Sequence, residues 1–246
     1  MDEMRLSKRL GRVLGGMLLA GALILGASSQ NLIWAAEEAE GSKDRDTVKV
    51  IIHTEQPDAE VGVFQLEKKV AVIEPAHGYV EVLARDSRLT AAKLIYNQEE
   101  DAAQLSGDVA VTRKDLDAQA DSMLADFAQE TYTLDGNVYL KQWETEGEEE
   151  QTVKLEVWSQ WMEIQEEGQR LHARGDVRVI ETEWKAWADE LEYDDKQELA
   201  VLMGNVRLET NDGNVLTGTK VVINLSTDEA TVYGPTYAEF LLGGDE

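Results

Sequence analysis

Between Ala188 and Leu208 the sequence reads ADELEYDDKQELAVLMGNVRL, and this stretch decides the fold. Its apolar residues come at steps of two: Leu191 and Tyr193 before a polar run, Ala200 and Leu202 after it, then Val206 and Leu208. Such alternation sets one face of a strand on a core and the other in water. The polar cluster Asp194 to Gln197 reads as the turn between two strands. Gly204, which follows an inward residue and precedes Asn205 and Val206, fits a bulge or a close backbone approach within a strand pair.

The same unit recurs along the chain, closing at Gly107, Gly136, Gly175, Gly204 and Gly234 with spacings of 29, 39, 29 and 30 residues. Sixteen residues before each glycine stands a small residue: Ala91, Ala120, Ser159, Ala188 or Gly218. Three further on is an apolar one (Leu94, Met123, Met162, Leu191, Val221), and two beyond that Tyr96, Ala125, Ile164, Tyr193 or Ile223. Asn97 to Asp101, Glu166 to Gln169 and Ser226 to Asp228 repeat the turn. Apolar residues at helical spacing are not sustained after residue 45. One strand pair cannot bury its apolar face alone, whereas five stacked units can. The expected fold class is all-β: an elongated domain over residues 47–242 in which two antiparallel sheets face each other. Residues 47–85 carry further alternation, Val48-Lys-Val50-Ile-Ile52 and Val70-Ala-Val72, as another unit or a cap.

Composition narrows the function. The 246 residues are 43% hydrophobic, enough for a sizeable core, and carry a formal charge of -26. A phosphate-backbone binder needs a positive surface, so a general nucleic-acid role is excluded. The absence of cysteine excludes a disulfide framework, a thiolate metal site, a cysteine nucleophile and a lipidated N-terminus. His53, His77 and His172 are isolated in the sequence, which predicts no metal site, and no cofactor-binding motif is present. Asp189 and Glu190 are neighbours on a strand and would point to opposite faces, unsuited to paired acid–base work. The chain is not expected to be an enzyme.

Arg5, Lys8, Arg9 and Arg12 precede the apolar run Val13 to Ala27, and small residues follow at Ala35 and Ala36. This is the layout of a secretory signal over residues 1–36, or of an uncleaved anchor with the same orientation, so the rest of the chain is expected outside the cytoplasm. Residues 37–46 (EEAEGSKDRD) read as a flexible acidic leader. The insert Trp143 to Gln151 (WETEGEEEQ) accounts for the single long spacing and reads as a solvated hairpin tip. Tryptophans crowd the same part of the chain. Trp158 and Trp187 share a repeat column, and Trp161 and Trp184 stand three residues away, which on a regular strand is the opposite face.

The unit Ala188-Asp189-Glu190-Leu191-Glu192-Tyr193 through Gly204-Asn205-Val206-Arg-Leu208, continued by Leu216-Thr-Gly218-Thr-Lys220-Val221, resembles the OstA-like domain of the LptA family of lipopolysaccharide-transport proteins. LptC and the N-terminal domain of LptD are its relatives, and the likeness spans roughly residues 85–242. The resemblance implies an open β-jellyroll in the periplasm whose interior cradles the acyl chains of lipid A. It also implies head-to-tail stacking with other jellyroll proteins through edge strands. By matching columns, the lipid-facing residues would include Leu94, Tyr96, Leu105, Met162, Ile164, Leu191, Tyr193, Leu202 and Val221. From the repeat alone, these are core residues, and a structural β-repeat scaffold with a dry core fits as well. The acidic insert, the longer N-terminal part and the strong negative charge depart from the family pattern.

Overall fold

Every regular element among the described residues is a strand, and along the long ones side chains alternate between core and water. The computed structural model describes residues 48–240, except 57, 85–86, 115, 147–149, 166–169, 183, 195 and 228, together with the backbone of 25–28 and 31–35. The expected turn at 166–169 and the leader at 37–46 therefore lie outside the described residues. The chain divides into two compact units at Gly136/Asn137. All described ladders are antiparallel.

In the first unit β9 (Ala102–Thr112) pairs along its whole length with β10 (Leu116–Asp126). Its other edge is shared. Residues 102–106 pair with β8 (Lys93–Asn97), which leads on to β5 (Val70–Ile73) and β4 (Gly62–Gln65). Residues 110–112 pair with β7 (Ser87–Ala91), which leads to β6 (Gly78–Ala84), β3 (Val48–Thr54), β2 (Asn31–Ala35) and β1 (Leu25–Ser28). Residues 47–85 thus supply two separate branches, one to each half of β9, instead of a sixth unit.

β11 (Thr131–Glu146) passes into the second unit, which continues through β12 (Glu150–Gln165), β13 (Arg170–Glu181), β14 (Trp184–Asp194), β15 (Leu199–Thr210) and β16 (Val215–Asn224). From β12 to β16 each strand pairs with the next. Beyond β16 the second unit forks as the first one does: residues 220–224 pair with β17 (Glu229–Tyr233) and 215–217 with β18 (Tyr237–Glu239). The acidic insert forms the end of β11 and the start of β12, with 147–149 undescribed between them.

The glycine column marks both forks: Gly107 lies on β9 between the residues that pair with β8 and those that pair with β7, and Gly234 lies between β17 and β18. Gly204 and Asn205 both take left-handed backbone angles (φ 73° and 47°), and the ladder to β14 slips there, between Trp187 and Glu190. Gly107-Asp108, Gly136-Asn137 and Gly175-Asp176 repeat the conformation. A two-residue left-handed step in a strand pair is a bulge, and it bends the strand. Each long strand is thereby divided into halves. Val80, Leu140, Met162, Ala173, Ala186 and Val221 are fully buried, which a single layer cannot achieve; the halves must cover one another. The expectation of facing sheets is met in a different way from the one anticipated: the two layers are halves of the same strands.

Candidate functional site

The ladders turn the sequence columns into rows. In the second unit Met162 stands opposite Ala173, Ala173 opposite Leu191, Leu191 opposite Leu202 and Leu202 opposite Val221. One step toward the turns runs a parallel row, Ile164–Leu171–Tyr193–Ala200–Ile223. The first unit repeats both, as Ile73–Leu94–Leu105–Met123 and Ala71–Tyr96–Ala103–Ala125. The nine residues singled out in the sequence therefore fall into two inward rows per unit, all on the strand halves that lie between the small residue and the glycine of each repeat. Seven of them are buried, and Tyr96 and Ile164 are half-exposed. Burial, with Asp101 nearby, raises the Tyr96 hydroxyl pKa above its ordinary value.

Alanine interrupts three of these four rows: Ala71, Ala103 and Ala125 in one unit, Ala173 and Ala200 in the other. Small side chains bury little area, so the contact between the layers is weaker than in a leucine–phenylalanine core of equal extent. A half-open cavity of about 380 Å³ lies at the turn end of the second unit, where Leu171, Tyr193 and Leu199 meet Gln165, Arg170 and Glu192.

The outer face is polar and cross-linked. His53 Nε2 lies 2.6 Å from Glu81 Oε2, and Arg88 Nε donates to the other carboxylate oxygen at 2.6 Å. Burial works to raise the Glu81 pKa, but the two hydrogen bonds outweigh it and hold it below the ordinary value. His172 hydrogen-bonds Glu190, to which Arg174 Nε also donates at 3.0 Å. The bond from His172 is the main reason that the Glu190 carboxyl sits below its ordinary value. His172, Glu190 and Glu192 place their ligand atoms within 4.8 Å of one another, and the Arg174 guanidinium already supplies a cation there. The histidines that look isolated in the sequence thus gain carboxylate partners 28 and 18 residues away, across strands. Linear spacing contains no sign of this.

Two sequence expectations about faces change. Trp161 was expected opposite Trp158, but the ladder slips between them, and both stand across from exposed arginines, Arg174 and Arg178. The bulge restores Trp161 to the outer face. Trp184 and Trp187, with no bulge between them, do differ: Trp184 is buried and Trp187 half-exposed. Asp189 and Glu190 also both lie outside, because the slip between Trp187 and Glu190 displaces them; Asp189 accepts from Asn205 Nδ2 at 2.8 Å.

The profile of the family described as "LptA/(LptD N-terminal domain) LPS transport protein" matches residues 46–155 and 148–229, which is most of the chain. No curated protein matches it. Among solved structures the chain is similar to LptH, described as the LptA homologous periplasmic component of the conserved lipopolysaccharide transport device from Pseudomonas aeruginosa. That similarity is 16% identity over 63% of this chain and 95% of that one, with a TM-score of 0.30.

Proposed function

Because the chain belongs to the LptA/(LptD N-terminal domain) family of LPS transport proteins, we propose that it is a periplasmic carrier that holds the acyl chains of lipid A between its strand halves and passes them toward the outer membrane. The observation that carries this reading is the pair of wholly apolar inward rows in each unit, Met162 to Val221 and Ile164 to Ile223 in the second. Acyl chains entering between the halves exchange modest alanine-rich contacts for hydrocarbon contact, worth about 0.8 kcal/mol per methylene removed from water. Leu94, Tyr96, Leu105, Met162, Ile164, Leu191, Tyr193, Leu202 and Val221 are the proposed lining. The carrier performs no catalysis and needs no metal or cofactor.

Its neighbours are other jellyroll proteins of the transport bridge, including further copies of this chain, joined head to tail by strand addition. Support comes from the edges. Among the described residues, β4 pairs only with β5, and β17 and β18 only with β16. Removal of residues 1–36 would also free the edge of β3 that β2 covers. If Val13 to Ala27 is retained, the chain is instead the membrane-anchored subunit of the same system. N-terminal sequencing of exported protein separates the two.

The charge of -26 has a place in this reading: acyl chains sit inside, head groups stay in solvent, and the acidic exterior keeps the carrier off anionic membrane surfaces. Titration with lipid A and with a single-chain fatty acid across a range of salt tests it. With the exposed Arg178 replaced by Gln, affinity for both should change little with salt. Steep weakening at high salt would mean that head-group charge holds the ligand, against the proposal.

A further inference from the structure

The outer face of the second unit carries a row that the carrier reading leaves unused. Across adjacent strands Trp158 stands opposite Arg178, Arg178 opposite Trp187, and Trp187 opposite Arg207. The Arg178 guanidinium carbon lies 4.9 Å from the Trp158 ring centroid, and Tyr139 flanks Trp158 on the other side with ring centroids 5.1 Å apart. All of these residues are half-buried or exposed.

Charge singles out Arg178. The chain has 49 acidic residues against 23 basic ones, and the other arginines of this face are held by carboxylates: Arg170 by Asp194, Arg174 by Glu190, Arg207 by Glu209. Arg178 is exposed, yet among the described residues no carboxylate comes within ion-pair distance of it. Nor among them does exposed Lys185, two residues from Trp187 along β14 on the same face, form an ion pair: it stands opposite Ile180 on one side and Glu209 on the other, and Glu209 is paired with Arg207. A guanidinium laid on an indole keeps its in-plane N–H groups free for a planar or tetrahedral anion. The Trp187 indole stands on the neighbouring strand, opposite Arg178.

We propose that Trp158, Arg178, Lys185 and Trp187 form an external binding site for a phosphorylated glycan. The phosphate would sit on Arg178 and Lys185, with Trp158 holding the guanidinium in place and a sugar ring on the Trp187 indole. An acidic peptide suits the row less well. β13 and β14 are paired on both edges, so they offer no free backbone for strand addition. The site does not depend on whether the interior holds lipid.

Calorimetric titration of the full chain with a phosphorylated glucosamine disaccharide that carries no acyl chains tests the proposal. The disaccharide should bind, and both R178Q and removal of its phosphate should weaken binding about tenfold or more, the scale of a charge-assisted hydrogen bond. W187A should weaken it too, with the thermal unfolding midpoint of each variant showing that the fold is intact. No binding, or binding that R178Q leaves unchanged, would overturn the proposal. So would inorganic phosphate alone binding as tightly as the disaccharide, or a polyglutamate peptide binding with the same dependence on Arg178. Because the probe lacks acyl chains, its result is independent of any test of the interior.

Discussion

At Gly204 the backbone occupies the left-handed region, and a Cβ added there would stand 2.8 Å from the Asp189 Cβ, closer than real side chains approach. Gly204→Ala combines that clash with backbone strain, so unfolding in urea should show a loss of about 1–3 kcal/mol. Asn205 tolerates the same conformation because its short side chain bonds locally, here to Asp189. The glycine spacing was plain in the sequence. Its consequence for Trp161 was not, since a period of two holds only until a bulge inserts residues, and the number inserted is set by the ladder. Glu190 gives a second test at this scale. Its pKa is held down mainly by the hydrogen bond from His172, so its contribution is in full force above the ordinary value of 4.5 and drains away as pH falls through the lower folded value. Glu190→Gln should therefore be less stable than the parent at neutral pH, and the gap should narrow as the medium is acidified below about 4.5.

At the scale of the element, the repeat made strands and turns legible from alternation and polar clusters alone. What it concealed was that one strand serves two layers. Alternation reports which residues face inward, but not that β8 and β7, or β17 and β18, divide the edge of a single long neighbour between them. The short strands before residue 85 were hard to assign for the same reason: β4 and β5 serve one branch, β3 and β6 the other. The C-terminal branch has the features of a docking edge, with Tyr233, Tyr237 and Phe240 exposed beside singly paired strands. Replacing Tyr237 and Phe240 together by Asp should abolish concentration-dependent self-association in sedimentation velocity while leaving the circular dichroism of the sheet unchanged. Oligomers that persist in the double variant would place the contact elsewhere.

For the whole molecule, composition and repeat excluded more than they named. The acidity argued against nucleic acid as a partner, and the lack of cysteine removed thiol chemistry. Neither could separate a carrier from an inert scaffold, because both bury the same alternating residues, and burial of Leu191 or Met162 is what either one requires. The difference lies in what the inward rows contact when cargo is present, so the direct measurement is one of proximity. A photo-crosslinking amino acid is placed at Leu191, which faces inward, and separately at exposed Glu192 beside it; each protein is expressed in a lipopolysaccharide-producing cell, irradiated and probed for lipid A. The carrier account predicts an adduct from position 191 and none from 192. Absence of any adduct at 191, or equal adducts at both positions, would contradict it.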